Sequence, residues 1–256
     1  MSRSPKRNTA IAAVILLVAA LAASLFRREE APARHTVENA GAGEQKRSAR
    51  AASFDFYLMA LTVHPAFCTE NSRKRECTSG NPRPLVIHGL WPERMEPRAY
   101  PHDCPAPALD LEPALALELA DLMPGMADGL HQHEWRTHGG CSGLDDDDYY
   151  RHALELARRV DGALSATLTI RAGGEVTASE LRSVADLFSP GLGRTLTFHC
   201  RTLRGGGSRR PYLIEVRQCV DDDGVGGAPG TALACAVVKR RDQGCGGSFL
   251  IAGNSR

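Results

Sequence analysis

The chain has 256 residues, 43% hydrophobic and 24% charged, with 31 Lys+Arg against 30 Asp+Glu for a net charge of +1. That composition excludes global disorder and a strongly basic nucleic-acid wrapper, and it suffices for one good-sized domain or two small ones. The balance is uneven: residues 1–50 carry nine Lys/Arg and four Asp/Glu, so the remainder is mildly acidic, and any polyanion binding there needs a local cluster.

Arg3, Lys6 and Arg7 precede an uncharged apolar run of 17 residues, Ala10–Phe26. A cationic start and an apolar stretch read as an export signal. Small residues offer cleavage after Ala20-Leu21-Ala22 or Ala31-Pro32-Ala33; uncleaved, residues 10–26 would anchor the chain to a membrane. Residues 1–26 are therefore read as signal or anchor. Residues 27–52, rich in Ala, Arg, Glu and Gly without periodicity, read as a flexible linker to a domain over 53–256.

Phe54–Val63 mixes aromatic and β-branched residues and predicts a strand, and Pro84–Leu90 predicts a second. The polar stretch 71–83 between them is a loop that Cys68 and Cys77 could staple. Leu111, Leu115, Leu119 and Met123 recur every four residues, predicting a helix over Leu109–Met123 that Pro124-Gly125 ends. A helix over His131–His138 follows. Asp145–Asp148 then read as the cap of an amphipathic helix, Tyr149–Val160, rather than a calcium site, because a helix dipole favours acids in its first turn. A short helix, Ala178–Phe188, precedes a hairpin of Thr195–Thr202 and Pro211–Val220 around glycines 205–207. Ala234–Arg240 and Ser248–Ala252 are the last predicted strands. The mix is α+β, with strands at both ends and helices between.

Eight cysteines stand at 68, 77, 104, 141, 200, 219, 235 and 245. An even number behind an export signal argues for disulfides. Structural zinc would need tight Cys pairs, and the closest spacings are nine and ten residues.

Two segments carry the chemistry: His88-Gly89-Leu90-Trp91-Pro92 at a strand end, and His133-Glu134-Trp135-Arg136-Thr137-His138-Gly139-Gly140-Cys141. A zinc-protease helix needs its histidines at i and i+4. His133 and His138 are at i and i+5, about 140° apart on a helix. Glu134 and His138 do share a face, a carboxylate placed to orient an imidazole. His131 and His133 could hold a metal only with an outside ligand. No Gly-x-Ser-x-Gly elbow and no Gly-Lys-Ser/Thr phosphate loop occurs. What remains is metal-free acid–base chemistry by two histidines. RNA suits it, since its 2′-hydroxyl lies beside the scissile phosphate: one histidine removes the 2′ proton and the other protonates the leaving 5′ oxygen. An aromatic ring would stack a base.

These two segments resemble the paired active-site signatures of the ribonuclease T2 family. His88–Pro92 matches the first at every position. Residues 133–141 match the second, His-Glu-Trp-x-Lys-His-Gly-x-Cys, except at Thr137. The strand from Phe54 with Pro65 and Cys68, and Leu213–Asp221, are similar to the family's opening and late strands, so the likeness spans about 53–250. The flanking segments look like the secreted or periplasmic bacterial branch. The resemblance implies a central antiparallel sheet flanked by helices and stapled by disulfides. It implies a monomeric endoribonuclease of low base specificity that takes RNA through a 2′,3′-cyclic phosphate, with no metal and no nucleotide or other cofactor.

By position, it implies His138 as the first-step base and His88 as the acid, with Glu134 assisting at the phosphate and orienting His138. His133 would touch the phosphate and Trp91 would help bind a base, with Arg136 and Thr137 beside the substrate. Cys104 would pair with Cys141 and Cys68 with Cys77, leaving Cys200, Cys219, Cys235 and Cys245 in two bridges of unsettled pairing. The family lysine neutralises the pentacovalent intermediate; Thr137 has no charge, and Arg136 points about 100° away, compensating in part. Glu93 stands where some relatives have Asp in the base site. His64, His102, His152 and His199 read as surface or structural residues. Arg201, Arg204, Arg209 and Arg210, like Lys239-Arg240-Arg241, could track RNA backbone or simply be solvated. A non-catalytic RNA- or protein-binding relative and a metal hydrolase on His131 and His133 are the alternative readings.

Overall fold

The computed structural model describes residues 53–78, 83–96, 100–222 and 229–253. The expected export segment 1–26 and linker 27–52 lie outside them. In chain order the elements are β1 (Phe56–Val63), α1 (His64–Glu70), α2 (Arg75–Thr78), β2 (Leu85–Glu93), α3 (Pro113–Leu122), α4 (Leu130–Thr137), α5 (Asp146–Ile170), β3 (Glu175–Thr177), α6 (Ala178–Phe188), β4 (Leu196–Arg201), β5 (Tyr212–Asp222), β6 (Pro229–Ala232) and β7 (Ser248–Leu250).

Among the described residues the strands form one sheet. Its neighbours run β2-β1-β5-β7-β3, and β4 and β6 also pair with β5. Every pairing is antiparallel except β5 with β7. The fold is thus the expected α+β sheet flanked by helices. β1 is nearly all apolar because both its faces are covered. Tyr57, Met59 and Leu61 meet the α5 stripe Leu154, Ala157, Val160, Leu164 and Leu168 on one side. Phe56 and Leu58 meet Cys219, Cys235 and Val238 on the other, with Trp91 packed against them. The candidate site lies on this second face.

The acidic run caps α5 as expected: Asp145 Oδ1 accepts the backbone N–H of Asp148 at 2.8 Å. Its neighbours also dock the chain entering α3, since Asp146 accepts from the N–H of Asp110 and Asp147 from that of Glu112. α5 runs to Ile170, ten residues past the predicted end, because its apolar stripe continues through Leu164 and Leu168 across Gly162. α6 has the predicted bounds and a capping box of Thr177 and Glu180. α1 starts on Pro65, whose fixed φ suits a first turn, and α2 occupies part of the expected loop 71–83.

The predicted strand Ala234–Arg240 is a correction: Cys235–Lys239 are turns. Lys239 takes a φ of 57°, and Cys235 is tied to Cys219 on β5, whose edge there is already filled by β6, Pro229–Ala232. All eight cysteines are paired: 68 with 77, 104 with 141, 200 with 245, and 219 with 235.

Candidate active site

The first signature lies on β2, an edge strand, where Pro92 is tolerated because little pairing is lost. In a regular strand His88 and Trp91, three apart, would face opposite sides. The register resolves this. Ala60 pairs with Gly89 and Leu61 with Ile87, leaving His88 as an extra residue on β2. Such a bulge resets the alternation. Ile87 and Leu90 therefore enter the helix-side core, while His88 and Trp91 share the other face with their rings 5.0 Å apart.

The second signature supplies Glu134 from α4 and His138 from the residue after it. Glu134 is 1% exposed. The indole N–H of Trp91 donates to its Oε2 at 2.8 Å, and its Oε1 lies 3.9 Å from His88 Nε2. Gly89 makes this approach possible, since a Cβ there would fall 2.0 Å from Glu134 Oε2 and 2.5 Å from Trp91 Nε1. The ring of Trp91 is also 5.5 Å from that of His138, so one indole stands between two imidazoles. Tyr100 approaches the His138 ring at 6.5 Å. The Cys104–Cys141 bridge ties the loop after Tyr100 to the turn after His138.

The expected pairing of Glu134 with His138 is not what forms. His138 is the C-cap residue, with φ −122° and ψ −46°, so its ring leaves the helical face that an i,i+4 pair requires. Glu134 turns instead to Trp91 and His88. His133 and Arg136 are exposed on α4 and Thr137 is half-buried. Trp135 is structural: it is buried, with its N–H donating to the carbonyl of Pro107.

The two imidazoles are driven apart. Burial pushes His138 down, with the nearby charges of His133 and His88, to about 4, and its Nδ1 is buried with no hydrogen-bond partner among the described residues. Burial would also lower His88, but the hydrogen bond and charge of Glu215 and the charge of Glu134 outweigh it and hold His88 above its usual value. Burial raises Glu134, against the opposing pull of His88 and Trp91.

Glu215 was missed in the sequence. Its Oε1 accepts from His88 Nδ1 at 2.8 Å, and its other oxygen accepts from Arg217. The guanidinium of Arg217 lies 5.1 Å from the centre of the Trp91 ring. With Tyr100, Glu93, His199 and Arg240, Arg217 lines a cavity of about 210 Å³. Arg240 is paired with Glu93 at 2.6 Å and is not free to track a backbone. Arg201 and Arg210 are likewise paired, with Glu70 and Glu175. The available signal for Glu215 was two charges, Glu215 and Arg217, on one face of a central strand between the buried Leu213, Val216 and Val220.

His64, read as surface or structural, is buried beside Cys68 and Glu76. Among the described residues, His64, Cys68 and Cys77 are the metal-ligating groups that lie close together, and the disulfide takes both sulfurs. His131 and His133 do not form such a group.

Residues 54–226 match the sequence model of the Ribonuclease T2 family. The chain is 31% identical to a ribonuclease of Aeromonas hydrophila over 205 residues, covering 77% of this chain and 84% of that protein. It is 26% identical to ribonuclease 1 of Arabidopsis thaliana over 197 residues, 70% of this chain and 81% of the other. Among solved structures, ribonuclease MC1 from bitter gourd seeds superposes with a TM-score of 0.58 at 22% identity, over 77% of this chain and all of the other. RNase NT in complex with 5′-AMP gives 0.56 at 22%, over 78% and 98%.

Proposed function

Starting from the fact that this chain belongs to the ribonuclease T2 family and is an endoribonuclease, we propose that it cleaves single-stranded RNA by two-histidine transphosphorylation without metal or cofactor. One observation carries the mechanism: His88 and His138 flank Trp91, and their surroundings push their proton affinities in opposite directions. Opposed environments of this kind separate an acid from a base. Neutral His138 removes the 2′-hydroxyl proton. The 2′ oxygen bonds to phosphorus, and the bond to the 5′ oxygen breaks as protonated His88 delivers its proton there. The products are a 2′,3′-cyclic phosphate and a free 5′-hydroxyl.

Glu134 holds the indole of Trp91 and faces His88, close to where the phosphate would sit, and exposed His133 contacts the phosphate from α4. Thr137 donates a neutral hydrogen bond in place of the lysine's charge, and Arg136 compensates in part. Trp91 helps form the base site, and a base held by ring contacts rather than read at its edges fits low base specificity. Related structures holding 5′-UMP, 5′-GMP and 5′-AMP support a nucleotide-binding cleft here. Four disulfides support an oxidising compartment, periplasmic or extracellular, with 53–256 as a monomeric catalytic domain and residues 1–26 as signal or anchor.

The test is incubation of the oxidised chain with RNA and with DNA in excess chelator, followed by identification of the product ends. RNA-only cleavage leaving 2′,3′-cyclic phosphates is expected. Cleavage that appears only on adding a divalent metal overturns the mechanism.

A further inference from the structure

We propose that Glu215 is the positioning residue of His88, and that Arg217 fixes Glu215 for that task. The proposal rests on the two-histidine reading above. It adds a third element, β5, to a site otherwise built from β2 and α4.

The geometry comes from the register. β1 lies between β2 and β5, and at this level it presents Ala60, paired with Gly89 on one side and Arg217 on the other. A methyl group leaves the space above the sheet open, so side chains of the two outer strands can meet across β1. Glu215 is 7% exposed, and a buried carboxylate is costly unless its oxygens are satisfied. Here one accepts from His88 and the other from Arg217, at 2.8 and 2.5 Å. Held at both ends, the carboxylate cannot rotate away, and the opposing charge of Arg217 helps keep it ionised against burial. An ionised carboxylate only accepts, so Nδ1 of His88 must carry a proton. The exchangeable proton then belongs to Nε2, the nitrogen on the Glu134 side. The ring is 39% exposed and within reach of a substrate.

The groups facing His88 are Glu215 and Arg217 from β5, Glu134 and His138 from the second signature, and Trp91 from its own strand. Glu215 and Glu134 favour the imidazolium, while Arg217 and burial oppose it. His199, on β4 opposite Glu215, is itself pushed down to about 4 by burial and Arg217 and adds no charge at neutral pH.

Two measurements on the full, oxidised chain test this. Nitrogen NMR of His88 without RNA should show the neutral ring protonated on Nδ1; a neutral ring protonated on Nε2 overturns the proposal with no variant needed. Glu215→Gln should then lower the His88 titration midpoint by about one unit or more. The alkaline limb of kcat/KM on a dinucleoside phosphate should move with it, cutting the rate above that limb about tenfold. Glu215→Gln/Arg217→Met removes the surplus donor that faces a glutamine amide and serves if the single variant does not fold; its midpoint should also fall. A midpoint unmoved in the folded variant overturns the proposal whatever the activity. A midpoint that moves while the rate limb stays overturns His88 as the acid, and with it the positioning role of Glu215 in the reaction.

Discussion

Replacing Gly89 by alanine should dismantle the candidate site with a single methyl group. Gly89 does not take a positive φ, so backbone conformation is not what demands glycine. Space is. The added Cβ would lie 2.0 Å from Glu134 Oε2, 2.5 Å from Trp91 Nε1 and 2.9 Å from Glu134 Cδ. Relief requires movement of about 1 Å by groups with nowhere to go. Glu134 is buried on α4, and Trp91 is held between Arg217, His88 and His138. The Trp91–Glu134 hydrogen bond must break, and a bond to a charged group is worth about 1.5–3 kcal/mol. Alanine's smaller unfolded-state entropy returns only about 0.4–1 kcal/mol.

The melting temperature should therefore fall by several degrees, at about 2–4 °C per kcal/mol for a domain this size. Misplacing reacting groups by about 1 Å costs on the order of 10²-fold in rate, so kcat/KM on a dinucleoside phosphate should drop by about that factor. Gly246→Ala is the control, since its Cβ meets nothing within 4 Å. A Gly89→Ala enzyme within about threefold of wild type would refute the steric argument.

Four further outcomes are expected. Thr137→Lys should raise kcat, by up to about 10²–10³-fold if it restores a full transition-state charge contact; an unchanged or lower kcat counts against Thr137 as a weak point. The base must be neutral and the acid protonated, so kcat/KM against pH should have an acid limb at about 4 from His138 and an alkaline limb above 6.5 from His88. An acid limb near the ordinary imidazole value would contradict the assignment. The same lowering of His138 and His199 means that the unfolded chain binds protons the folded one refuses, so the melting temperature should fall as pH drops from 6.5 to about 4. Replacing Cys104 and Cys141 by serine opens a 37-residue separation, which chain entropy values at about 4 kcal/mol; denaturant titration should find a loss of that order, with activity falling as the second signature loosens.

Much of this was legible because the signals are local. The four-Asp cap, the Ala178–Phe188 helix and the apolar β1 follow from rules that act within a few residues, and the structure has them. The errors come from tertiary constraints that override local preference. Ala234–Arg240 has a strand's composition, but the disulfide from Cys235 and the positive φ of Lys239 override it. α5 outruns its predicted end because burial of Leu164 and Leu168 outweighs the poor helix propensity of Gly162.

The site itself divides along the same line. His88, Trp91, Glu134 and His138 stand in two short segments whose spacing exposes them. Even so, spacing misjudged how they meet: periodicity put Glu134 with His138, whereas His138 leaves the helix at its cap and Glu134 reaches another strand's indole. Two further features of the site have no local signature at all. One is the bulge at His88, visible only once β2 is registered against β1. The other is Glu215, 127 residues from the histidine it holds. On β5 alone it is one of four charged residues in an eleven-residue strand. Ala60, on the strand between, gives it a function by being small enough for glutamate and histidine to meet above it.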